Sequence, residues 1–239
     1  MISQIALITP TPDVITTVIR NSILRQAEEK EIVAFHVVNL RDYATGNYRQ
    51  IDDTPFGGGS GMVMMAEPLF KAIKHMIQVL GGQDECEIIY PSPQGKLWSH
   101  SEAIELSTRK KLIVICGHYK GIDQRVRDQF VSREYSIGDF VVSSGELPAM
   151  LMVDGIVRLI PGVLNTYESA MTDTFATDLL DGPHYTRPRE IDGLAVPDVL
   201  LSGHHKQIDK WRLDQQEKRT KKHRPDMWQK YLKIRDSGD

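Results

Sequence analysis

Only two cysteines, Cys86 and Cys116, occur in the 239 residues, with no CxxC pairing and no histidine cluster beside them. That scarcity excludes a disulfide framework, and both thiols read as small buried hydrophobes at the ends of neighbouring strands. The eight histidines lack ligand spacing as well: His204 and His205 are adjacent, while His100, His118 and His184 stand alone. No structural metal is expected. Long apolar runs are missing too, because a charge, glycine or proline interrupts each one before it could cross a bilayer. The first residues, MISQIALITPTPD, carry no basic lead and read as a strand, not a signal peptide. A soluble cytoplasmic protein with no membrane partner is the expectation. The usual nucleotide signatures are also lacking. The run Gly57-Gly58-Gly59-Ser60-Gly61 has no Lys-Ser/Thr pair behind it, and no GxGxxG opens a helix, which argues against a P-loop and an ordinary dinucleotide fold.

What is present is 41% apolar residues over a length sufficient for one α/β core and a smaller appendage. Ile2 to Ile8 and Ile32 to Leu40 are strand-like runs. Between them VITTVIRNSILRQAEEK repeats apolar positions near helical spacing behind Asp13 as a cap, which predicts one helix and a β-α-β opening. A polar, glycine-rich loop from Arg41 to Gly61 precedes a helix over Ala66 to Leu80. Strands follow at Cys86 to Tyr90, Lys111 to Cys116 and about Ser136 to Ser143, and a last helix runs from Glu146 through Ile160. Strands alternating with helices predict a mostly parallel sheet covered on both faces.

Ligands of such sheets collect at the carboxyl ends of the strands. Three loops stand there: YPSPQGK from Tyr90, CGHYKGIDQRV from Cys116 and SIGDFVVSSGELPAM from Ser136. Their glycines and prolines expose backbone donors and acceptors to a closely approaching ligand, which suits a nucleoside better than a triphosphate. Beyond Pro161 the apolar stripe dissolves into a small-residue, acid-bearing segment that reads as a flexible linker.

Charge is unevenly placed. From Gly203 onward there are eleven lysines and arginines against six acids, leaving 18 against 26 in residues 1–202. An acidic body with a basic tail predicts a polyanion partner for a small helical C-terminal region.

Taken in order, DDTPFGGGSGMVM, YPSPQGK, CGHYKGIDQRV, YSIGDFVVSSGELPAM, RLIPGVL and DGPHYTRPREIDG followed by VPDVLLSGHH resemble the signature segments of the TrmD family of tRNA (guanine-N1)-methyltransferases. The resemblance covers about Asp52 to His205. It implies a SPOUT-type α/β fold, a mostly parallel sheet with a deep C-terminal trefoil knot, and a homodimer with its active site between subunits. It further implies a knotted S-adenosylmethionine-binding domain over residues 1–162, a linker over 163–180 and a basic helical tRNA-binding domain over 181–239. By the same resemblance the methyl donor is held by Tyr90, Ser92 and Pro93, by Gly117 and Tyr119, and by Ile137, Gly138, Asp139, Phe140, Val141 and Val142 with Ser144, Gly145 and Pro148, mostly through backbone atoms. The tail residues Lys206, Lys210, Arg212, Lys218, Arg219, Lys221, Lys222 and Arg224 would meet tRNA phosphates. The implied target is N1 of the guanine immediately following the anticodon, in a loop whose bases can be splayed out and read.

Guanine N1 carries a hydrogen that must leave before attack. Asp173 in AMTDTF matches the family's general base, with Glu168 and Asp178 as local rivals outside the motif. A free aspartate, with a pKa of about 3.9, is a weak base, so burial or a cation at guanine O6 must help. Arg158 matches the residue suited to the second task. One departure stands out: where relatives read GRYEGIDERV, this chain reads Gly117-His118-Tyr119-Lys120-Gly121-Ile122-Asp123-Gln124-Arg125-Val126. Protonated Lys120 has no lone pair for Mg²⁺, which argues against magnesium at that position and leaves magnesium dependence open. Two other readings follow from the substitution and from the versatility of such folds: a tRNA-binding paralogue without catalysis, and a knotted methyltransferase with another RNA target.

Overall fold

The computed structural model describes residues 2–164, 174–175 and 178–237. The chain divides into two compact units, Met1–Asn165 and Thr166–Asp239.

The first unit is built on five parallel strands in the order β2-β1-β6-β5-β7. They are β1 (Gln4–Thr9), β2 (Ala34–Asn39), β5 (Cys86–Leu97), β6 (Lys111–Ile115) and β7 (Arg133–Ser136), with a two-residue ribbon of β3 (Asp52–Asp53) and β4 (Val63–Met64) beside them. In the central strands β1 and β6 the apolar residues are fully buried, as a sheet covered on both faces requires. Alternation sends Ile5, Leu7, Leu112 and Val114 to one face and Ala6, Ile8, Ile113 and Ile115 to the other. The first face is covered by α1 (Pro12–Ile19), α2 (Ser22–Glu29), α4 (His100–Ser107) and α6 (Glu146–Val157). The second is covered by α3 (Ala66–Val79) and α5 (Gln124–Phe130).

Several details correct the sequence reading. The expected single helix after β1 is two, because Ser22 takes φ 51° and breaks the run. Asp13 lies inside the first turn, where Pro12 occupies the opening position and Thr11 precedes it. The loop from Arg41 to Gly61 contains a 3-10 turn at Leu40–Tyr43 and strand β3. Strand β5 continues seven residues past Tyr90, with a bulge between Pro91 and Lys96. The last strand ends at Ser136 instead of beginning there: Ser136 Oγ accepts from the Gly138 N–H at 3.2 Å, and Gly138 at φ 138° turns the chain out of the sheet. Cys116 is buried, as expected, whereas Cys86 at the opposite end of its strand is only half-buried.

Among the described residues the second unit holds a hairpin of β8 (Glu190–Ile191) and β9 (Leu194–Ala195) and the helices α7 (Asp198–Leu201), α8 (His205–His223) and α9 (Pro225–Ser237). Its buried residues include Leu179, Thr220 and Met227. The Thr220 hydroxyl accepts from the Leu180 N–H at 2.8 Å, tying the incoming segment to α8. No helix among the described residues is long and apolar enough to cross a membrane.

Candidate functional site

Because all five strands run the same way, the bulged stretch of β5 that begins at Tyr90 and the loops that follow β6 and β7 meet on one edge, and there they enclose a cleft of about 320 Å³. Tyr90, Ser92 and Pro93 form one wall, Gly117 and Tyr119 a second, and Ile137, Gly138, Phe140, Val141, Val142, Ser144, Gly145 and Pro148 the third. Of the residues singled out in these loops, Asp139 alone is not on the lining. The size is that of a small-molecule site.

The glycines make the close approaches possible. A Cβ on Gly117 would stand 2.7 Å from Cε2 of Tyr90, and one on Gly145 would stand 2.4 Å from the backbone nitrogen of Gly117. Gly145 N–H donates to the Gly117 carbonyl at 2.7 Å, which joins the second and third walls directly. Tyr119 adopts φ 60°, a left-handed conformation uncommon outside glycine, and is half exposed. Burial, then the nearby Asp52, push its hydroxyl above the ordinary phenol range.

Residues given no site role in the sequence reading, several of them inside the signature segments, hold these walls. Arg127 of α5 forks onto Glu134 of β7 at 2.8 and 2.7 Å, reaches Gln94 Oε1 at 2.7 Å and places its guanidinium 5.9 Å from the centre of the Tyr90 ring. Burial raises the Tyr90 hydroxyl above its usual range. Tyr135 donates to Glu102 Oε2 at 3.0 Å, and Lys96 donates to Glu102 Oε1 at 2.6 Å. Glu146, fully buried, accepts from Thr9 and Thr11 hydroxyls and meets His118 Nε2. Burial alone would raise its pKa; the hydrogen bonds from His118, Thr9 and Thr11 and from its own backbone overcome that and hold it at about 2. The signal for this cluster was a Thr-x-Thr at the end of β1 and an acid at a helix start, neither of which points to the other in sequence.

Lys120 lines the cleft with its side chain exposed, and its N–H donates to the Met62 carbonyl at 3.0 Å. A Cβ on Gly61 would lie 3.0 Å from Lys120 Cγ, so the glycine-rich loop and the turn after β6 abut. Met64 and Ile122 form a parallel bridge between the same two segments. Among the described residues no group of three or more His, Cys, Asp or Glu side chains is placed to hold a metal ion.

Arg158 caps the far end of α6, half-buried, and is not on the lining of this cleft. Asp173 lies outside the described residues. In the second unit Lys206, Lys210, Arg212, Lys218, Arg219, Lys221 and Lys222 are exposed along α8. Arg224 differs: it is half-buried, bound to Asp226 at 2.6 Å and set over the Phe175 ring.

A family model described as tRNA (Guanine-1)-methyltransferase TrmD matches residues 3–230. A protein of Christiangramia forsetii named tRNA (guanine-N(1)-)-methyltransferase is 50% identical over 224 residues, covering 94% of this chain and 98% of its own length. Proteins of the same name from Brevibacillus brevis and Alkaliphilus metalliredigens are 48% and 47% identical, covering 95% and 94% of this chain and 92% and 91% of theirs.

Proposed function

The chain belongs to the TrmD family and is a methyltransferase, and from that premise we propose that it methylates N1 of the guanine immediately following the anticodon in tRNA, taking the methyl group from S-adenosylmethionine in the cleft beyond β5, β6 and β7. The observation that carries this reading is the convergence of three glycine- and proline-rich loops on one small cleft.

The lining suits the donor. Gly117 and Gly145 let the walls close on one another where a side chain would intrude, and among the described residues no carboxylate lines the cleft to confront the donor's own. When bound, S-adenosylmethionine supplies an electrophilic methyl group on a sulfonium. The chain's residues then have two tasks. The first is positioning: the walls fix the donor so that guanine N1 meets it in line, a contribution that can reach several kcal/mol. The second is the proton on N1, which Asp173 removes while Arg158 offsets the negative charge gathering on guanine O6. The tail lysines and arginines along α8 hold the RNA by its phosphates.

Arg158 stands away from the cleft of its own chain, and Phe140, Val141, Leu147 and Leu151 are exposed apolar side chains; both support a homodimer that completes the site.

The purified protein, incubated with methyl-labelled S-adenosylmethionine and unmodified tRNA, is expected to yield 1-methylguanosine at the nucleotide after the anticodon. Label at another base or atom would overturn the target assignment.

A further inference from the structure

Behind the cleft, one buried carboxylate gathers three separate stretches of chain. Glu146, the first residue of α6, is fully buried. Its Oε1 accepts from the hydroxyl of Thr9 at the end of β1 and from that of Thr11 at 2.8 Å, and Thr9 Oγ1 accepts from the Thr11 N–H at 3.0 Å. His118 Nε2 lies 2.9 and 2.8 Å from the two carboxylate oxygens. His118 is itself on the cleft lining, between Gly117 and Tyr119.

The turn that carries His118 needs restraint. Tyr119 holds φ 60° without glycine's freedom, and a backbone conformation of that kind persists only where the surroundings impose it. Around it the His118 N–H meets Met64 Sδ at 3.0 Å and the His118 carbonyl accepts from the Gly121 N–H at 3.0 Å. Two side chains anchor the turn: the Tyr119 hydroxyl on Asp52 and Arg41, and the His118 imidazole on the buried Glu146. Packing alone does not call for this arrangement, since apolar groups of similar shape often fill such a space at no loss of stability, and in some proteins a buried, hydrogen-bonded charge serves to specify one geometry.

We propose that Glu146 and His118 are positioning residues of the methyl-transfer site: the carboxylate fixes the imidazole, and through it the Gly117–Tyr119 turn, in the arrangement that receives the methyl donor. The inference rests on the reading of the cleft as the donor site. It goes further by assigning donor affinity to a buried carboxylate off the lining that acts through His118 and the turn it orders.

The test compares the intact protein with His118→Ala, His118→Gln and Ile19→Ala, the last a core truncation on α1 away from the cleft. Binding of S-adenosylhomocysteine by calorimetry, KM for the donor and for tRNA, and Tm are measured for each. His118→Ala is expected to weaken S-adenosylhomocysteine binding and raise the donor KM by about tenfold or more, with the tRNA KM little changed. His118→Gln, whose amide can donate to Glu146 from nearly the same place, is expected to recover most of that loss. Ile19→Ala is expected to lower Tm without lowering affinity. Wild-type affinity in His118→Ala, or an affinity that follows Tm alike in His118→Ala and Ile19→Ala, would overturn the proposal. A wild-type protein that binds no S-adenosylhomocysteine would overturn the reading of the cleft and this inference with it, a result distinguishable because it precedes any substitution.

Discussion

Gly145 and Gly117 touch backbone to backbone: the N–H of one donates to the carbonyl of the other at 2.7 Å, and no side chain fits between them. Gly145→Ala would place its methyl carbon 2.4 Å from the Gly117 nitrogen, a clash that no rotamer change relieves. Overpacking of this kind costs about 1–3 kcal/mol, or about 2–12 °C in Tm for a protein of this size. The expected outcome is a folded protein with lower Tm and little or no S-adenosylhomocysteine binding in calorimetry. Unchanged affinity would separate the two glycines from the donor site.

Asp173→Ala should leave donor affinity almost intact and remove turnover, because the proposed base acts on guanine and not on the donor. Loss of a general base typically costs about 10²–10⁴ in rate. Single-turnover transfer to unmodified tRNA, with donor affinity measured alongside, checks it. Transfer at the wild-type rate would move the base assignment to another carboxylate.

How much of this could be read from sequence depended on how local each cause is. Strands β1, β2 and β6 and helix α3 follow from apolar periodicity, and the cleft loops after β6 and β7 follow from glycine and small polar residues at strand ends, whereas the expected loop from Tyr90 is a bulge inside β5. The break at Ser22, where φ is 51°, escaped because apolar positions keep helical spacing across it, although Asn21-Ser22 is a pair that favours a cap or turn. The extension of β5 escaped because Pro91 and Pro93 read as an end, whereas the bulge lets the strand resume at Lys96. The Glu146 cluster was beyond reach for a different reason. Its members are 137 and 28 positions apart, and only the parallel sheet brings the end of β1, the turn after β6 and the start of α6 together.

The cations of the tail differ in how they are engaged. Lys218, Lys221 and Lys222 are exposed on α8, while Arg224 is committed to Asp226. Reversing the three lysines to glutamate should weaken tRNA binding and reduce the slope of log K against log salt by about 0.7–0.9 for each phosphate no longer neutralised. Arg224→Ala should have a smaller effect on the slope. Filter binding across a salt series measures both, and an unchanged slope in the triple variant would remove α8 from the RNA surface.

Glu146 gives the molecule a defined acid sensitivity. Its carboxyl is held at about 2 in the folded protein against 4.5 for a free glutamate, so folding favours the ionised form. A depressed pKa contributes stability above the unfolded value and loses it as pH falls through the folded value. The contribution, up to about 3 kcal/mol, is therefore complete at neutral pH and fades between about 4.5 and 2. Glu105 and Asp226 are also held at about 2 by arginine partners and shift with acid in the same direction, but they are common to wild type and variant and cancel in a difference. The Tm advantage of wild type over Glu146→Gln should accordingly stay level from neutral pH to about pH 5.5 and fall by more than half by about pH 3. An advantage that grows below about pH 4.5 would mean that the carboxyl is buried in its protonated form, with His118 and the two threonines arranged around a neutral acid instead of an anion.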